Sequence, residues 1–126
     1  MLSGMVLGQT IQKSSLLGLH LVTITLEPGV TMDQYLDFFV NKYTPEYEKV
    51  TEVQLFILRS VRGENINKLG ILYQFESEEY RDKHFNEDDT LNDLGRSKME
   101  KLQPIRDKLK KLGSSERIEF DDWLVL

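Results

Sequence analysis

Residues 19–31, LHLVTITLEPGVT, contain a complete strand, its stop and the cap of a helix. Side chains in an extended chain alternate between two faces, so His20, Val22, Ile24 and Leu26 share one side. Leu19, Leu21, Thr23 and Thr25 share the other. Glu27-Pro28-Gly29 ends the run. Thr31 and Gln34, three residues apart, form a capping-box pattern in which hydroxyl and amide satisfy backbone donors that have no helical partner. Met32, Tyr35, Leu36, Phe39, Val40 and Tyr43 follow at helical spacing as one apolar stripe. Pro45 is expected to end that helix or kink it. One of the chain's two histidines thus sits on the strand face that this helix should cover.

Working outward, VQLFILRSV (53–61) and LGILYQFES (69–77) flank the polar turn RGENINK and read as an antiparallel hairpin. Alternation does not phase the first of them, because Leu55 and Ile57 are matched by Phe56 and Leu58. Ser77 should cap a short helix through EEYRDKHF, broken by NEDDT. The helical terminus then sets the expectation for His84: solvent-facing, with its charged form favoured by the helix dipole. A longer helix is expected from about Leu91 to Leu112, kinked at Pro104 and closed by Gly113 in a left-handed cap. In the closing segment RIEFDDWLVL, Ile118, Phe120 and Leu124 alternate with Glu119, Asp121 and Trp123.

The order strand, helix, strand, strand, helix, strand predicts an α+β chain: a ferredoxin-like two-layer sandwich on a four-stranded antiparallel sheet. Residues 17–126 form the single domain, and residues 1–16 read as a flexible leader. The 126 residues, 40% hydrophobic and 29% charged, suit a soluble globular chain. A net charge of −5 argues against nucleic acid as a partner. No apolar run reaches the ~18–20 residues of a membrane span, so no membrane partner is expected. The chain has no cysteine, which removes disulfides and thiolate chemistry. No phosphate loop, metal triad or hydrolase elbow calls for a cofactor. Without a recognisable export signal, the cytoplasm is the favoured compartment. Arg59 and Arg62, near a strand end, are expected to pair with nearby carboxylates.

Two helices on one side leave the other side of the sheet open. Leu19, Leu21, Leu72, Trp123 and Val125 make that side more apolar than a wetted sheet face should be, although Thr23, Thr25, Gln74, Glu119 and Asp121 dilute it. A sheet-to-sheet homodimer is the expectation.

HLVTITLEPGVT and FFVNKY, with YQFESEEY and the closing EFDDWLV, resemble the dimeric α/β-barrel superfamily, nearest its stress-responsive A/B-barrel (Dabb) branch, over residues 17–126. The resemblance implies a dimeric α/β barrel with a pocket between helix and sheet. His20 matches the strand histidine that faces this pocket, and Phe38 and Phe39 match its paired phenylalanines. Val22, Ile24, Leu69, Ile71, Tyr73, Phe75, Ile118 and Phe120 would form the wall. Thr90 stands where the cyclase-like members carry a second histidine. The expected function is a homodimer of unassigned activity that binds a small apolar or aromatic molecule. The alternative is a cofactor-independent cyclase, isomerase or monooxygenase with His20 as general base and Tyr73 orienting a substrate oxygen.

Overall fold

A computed structural model describes residues 10–126. The first strand, β1 (Leu16–Leu26), leads into α1 (Met32–Phe38), a turn of π-helix at Phe39–Tyr43, and α2 (Thr44–Thr51). Then come β2 (Gln54–Arg59), β3 (Leu69–Phe75), α3 (Glu78–Asp82), α4 (Asp93–Lys101), α5 (Gln103–Lys110) and β4 (Gly113–Leu124). The four strands form one sheet in the order β2-β3-β1-β4, with every neighbouring pair antiparallel. The fold is α+β.

The capping box forms: Gln34 N–H donates to Thr31 Oγ1 at 3.1 Å, and Thr31 N–H donates to Gln34 Oε1 at 2.9 Å. Pro45 does not end the helix. It occupies the first turn of α2, where a missing N–H costs nothing, and the π turn before it absorbs the change of register. The Thr44 hydroxyl closes that turn by donating to Phe39 O at 2.9 Å. The helix therefore continues to Thr51 and stops at Glu52 in a left-handed conformation (φ 60°).

The expected helix over 91–112 is two helices. Asn92 caps the first through the Gly95 N–H, and Leu102, 1% exposed, joins it to a second that has Pro104 in its first turn. Gly113 is not a left-handed cap; among the described residues the glycines with positive φ are Gly29 and Gly63. It opens β4 opposite Leu26, where a Cβ would lie 2.8 Å from Thr25 O and 3.1 Å from the Tyr35 ring. The close packing of β1, β4 and α1 is what requires glycine there.

β1 begins inside the expected leader. Leu16 is buried, and Ser14 N–H and Ser15 O bond the backbone of Val125. Residues 1–9 of that leader lie outside the described residues.

The core lies on one side of the sheet: Val22, Leu55, Leu69 and Ile71 meet Tyr35 and Phe39, with Leu109 from α5 packed against them. Leu55 and Ile57 thereby face the helices, and Phe56 and Leu58 point away. The opposite face carries Leu19, Phe56, Leu58 and Trp123, all exposed. Arg59 and Arg62 make no ion pair with the carboxylates near them among the described residues.

Candidate functional site

A cavity of about 320 Å³ lies between the helix-facing side of β1, β3 and β4 and the helices. Strand alternation aims Gly18 and His20 of β1, Tyr73 and Phe75 of β3, and Phe120 and Asp122 of β4 into it. The helices add Tyr43, Tyr47, Arg81 and Met99, and the loop after α3 adds Phe85, Asp89 and Leu91. Gly18 keeps this space open: a Cβ there would lie 3.0 Å from Asp122 Oδ1.

His20 and Tyr73 stand together, ring centroids 4.7 Å apart, and Phe120 meets the imidazole edge-on at 5.6 Å. Tyr73 also contacts Tyr47 at 5.9 Å and stacks on Phe75 at 6.5 Å. Burial holds the His20 pKa below the ordinary imidazole value; Arg117 lowers it further, and Asp122 opposes both. His20 is therefore a neutral base at pH 7. Burial pushes the Tyr73 phenol up to about 12, so it remains a hydrogen-bond donor. The His20 imidazole and the Tyr43 and Tyr73 hydroxyls have no hydrogen-bond partner within the described residues. Polar groups facing an aromatic-walled space without partners suit a ligand that brings its own polar atoms.

Of the residues expected at the pocket, His20, Tyr73, Phe75 and Phe120 line this cavity. Phe39 and Ile71 line a second space of about 290 Å³, which shares Tyr43, Tyr73 and Met99 with the first. Val22 and Leu69 belong to the core, with Ile24 packed against it. Phe38 is half-buried and lines neither space.

Ile118 does not reach the wall. The β1–β4 ladder slips so that Leu21 pairs with Glu119 and Val22 with Arg117, leaving Ile118 as the extra residue of a bulge, 45% exposed. Arg117 takes the inward position instead. Strict alternation gave no sign of this, because a bulge carries no periodic signal. Tyr43 was legible as part of the helical stripe. Arg81, Phe85, Asp89 and Met99 come from helices and a loop whose placement depends on tertiary packing. Thr90 does not enter the cavity; its hydroxyl donates to Asp88 at 2.6 Å.

His84 differs most from its sequence expectation. It is 9% exposed, with Nδ1 2.9 Å from Tyr80 O and Nε2 2.8 Å from Lys98 Nζ. A carbonyl only accepts, so Nδ1 carries the proton and Nε2 accepts from the lysine. Lys98 also donates to Tyr80 Oη at 3.3 Å, and that hydroxyl donates to Thr51 O at 2.7 Å. Desolvation lowers the His84 pKa, and the nearby Lys98 and Lys83 charges add to the effect against the Tyr80 carbonyl, which raises it. The imidazole ties α3 to α4 as a neutral ring.

Both histidines make stability depend on pH in the same direction. In the unfolded chain an imidazole takes up its proton near pH ~6.5; in the fold it does so only at lower pH. Between those values the unfolded state binds more protons, so stability is full above pH ~6.5 and is lost as pH falls through the lowered folded values. Thermal unfolding scanned from pH 7.5 to 5 will show a falling midpoint, and His84→Gln will flatten the slope. A midpoint that holds or rises across this window contradicts the assignment.

No protein-family model matches the chain, and neither a curated protein nor a solved structure matches it. The site must be read from its own geometry. Among the described residues no three His, Asp or Glu side chains gather as a metal site, and no helix is long and apolar enough to cross a membrane.

Proposed function

We propose that the chain forms a homodimer of the dimeric α/β-barrel kind and binds a small apolar or aromatic molecule in the cavity beside His20. The observation that carries the binding reading is a space of about 320 Å³ walled by aromatic rings and lined by His20, Tyr43 and Tyr73, whose side-chain polar atoms have no hydrogen-bond partner among the described residues. Its volume falls in the range of small-ligand sites. The ferredoxin-like and Dabb-type reading draws support from the β2-β3-β1-β4 order, the antiparallel pairing and the helices gathered on one side.

The dimer reading is supported by the opposite face. A hollow there is lined by Leu19, Leu21, Leu58 and Gly70, with Arg59 and Lys68 among its walls beside Glu119 and Asp121. β4 and β2 are opposite edges of the sheet. A two-fold axis along the strands would set the acidic edge of each copy over the basic edge of the other and bury the apolar middle.

A neutral aromatic such as 2-naphthylmethanol, followed by calorimetry, tests the cavity. One molecule should bind per chain, and His20→Ala should weaken it about tenfold. Absence of binding, or binding that His20→Ala leaves unchanged, contradicts the reading.

The contact between His20 and Tyr73 favours a second reading, a cofactor-independent cyclase, isomerase or monooxygenase. A neutral imidazole beside a protonated phenol is a base next to a hydrogen-bond donor, which suits abstraction of a proton adjacent to a carbonyl. A bound carbon acid would then exchange its proton with solvent in the wild-type protein and not in His20→Ala.

A further inference from the structure

The bulge in β4 bears on what the ligand must carry. Two residues before an inward-facing Phe120, a regular strand would turn Ile118 into the cavity and Arg117 out of it. The slip between Leu21 and Val22 reverses this and brings Arg117 to the lining. Bulges are a common device for re-aiming one side chain beside a site. The Arg117 guanidinium lies over the Phe120 ring, 4.2 Å from its centroid, which leaves its N–H edge free to donate.

The charges around the cavity are unevenly matched. Arg81 is met by Asp82 at 3.3 Å and Asp89 at 3.1 Å. Arg117 has no carboxylate at ion-pair distance among the described residues. Asp122, two residues beyond Phe120, is the other lining charge without an ion-pair partner. His20 feels the arginine more strongly than the aspartate, so the potential at the imidazole is net positive from these two. The Tyr73 hydroxyl, which feels the Arg117 charge, has no hydrogen-bond partner among the described residues and is a donor at neutral pH because burial raises its pKa. Tyr43 lines the same cavity, and burial likewise keeps its phenol protonated.

We propose that the cavity selects a flat aromatic carboxylate, its ring among His20, Tyr73 and Phe120 and its anionic oxygens on the Arg117 guanidinium. A planar fork of N–H donors matches a carboxylate bidentately, and a tyrosine hydroxyl can supply a further donor. This rests on the reading above that the cavity takes an aromatic ring, and it adds the ligand's charge.

Three probes that share one ring and differ in charge test the proposal: 2-naphthoate, 2-naphthylmethanol and 2-naphthylmethylammonium. Each is titrated calorimetrically at pH 7 into wild type, Arg117→Gln and Arg117→Lys. The expected result is naphthoate binding about tenfold or more tightly than the alcohol, with the advantage weakening as salt is raised. Arg117→Gln should erase it, Arg117→Lys should keep part of it, and the alcohol should bind all three proteins alike. Because Arg117 is exposed on an edge strand, the variants should keep wild-type circular dichroism. If Arg117→Gln does not fold, the lysine variant and the salt dependence carry the same comparison. Equal binding of naphthoate and alcohol overturns the proposal and leaves the cavity reading standing. Tightest binding of the ammonium probe overturns it in favour of Asp122. No binding by any probe overturns both.

Discussion

In the homodimer proposed above, Leu19→Lys will convert the dimer into a monomer without unfolding the chain. Leu19 lies on β1, paired with Leu72 on one side and Asp121 on the other, and is 41% exposed in the single chain. A lysine there meets water and a nearby carboxylate in the isolated subunit, so the monomer should lose no more than about 0.5 kcal/mol. In a face-to-face pair the same ammonium is forced into an apolar seam, at a cost of several kcal/mol if it stays charged. At 10 μM, sedimentation equilibrium should give the wild type twice the 14.7 kDa of the chain and the variant the mass of one chain. The wild type's thermal midpoint should also rise with protein concentration, as mass action requires, and the variant's should not. Wild-type protein that sediments as a single chain at this concentration ends the dimer reading.

Phe39→Ala will cost about 3–5 kcal/mol of folding stability, a large share of the roughly 5–15 kcal/mol typical of a domain. Phe39 is 5% exposed and is held edge-on between Tyr35 at 5.8 Å and Tyr43 at 5.4 Å. Its carbonyl also accepts from Thr44 across the π turn, so the surrounding backbone has little freedom to collapse into the space left. Phe38→Ala, at the neighbouring half-buried position outside the core, should cost less than about 1 kcal/mol. Urea denaturation of both variants checks the contrast: a lower midpoint for Phe39→Ala at unchanged slope, and near-wild-type behaviour for Phe38→Ala. Equal losses would mean that the helix is rotated from the orientation described.

The same pair of phenylalanines shows how far the chain could be read from its residues. Helical spacing picks Phe39 over Phe38 for the stripe, and the core agrees. Thr31 and Gln34 announce their helix because a capping box is local: both partners lie within one turn. That Tyr73 shares a face with Phe75, and His20 with Val22, was legible because strand period is a short-range rule; that His20, Tyr73, Phe75 and Phe120 line one pocket was implied by the resemblance. The setting of His84 was not legible, since its burial, which disfavours the charged ring, and its contact with Lys98, fourteen residues away on another helix, both arise only when α3 and α4 pack together. Arg117 was hidden for a related reason: whether a ladder slips by one residue depends on how two strands meet.

The residues alone settled the α+β class, the strand carrying His20, the helix packed over it and the apolar character of both sheet faces. Each follows from interactions among residues a few positions apart, where period and capping chemistry leave few alternatives. Tertiary structure decided the phase of β2, the split of the second helical stretch at Leu102, the burial of His84 and the turn of Arg117 into the cavity. These depend on contacts between distant segments, whose free energies are realised only once the sheet and helices have closed on one another.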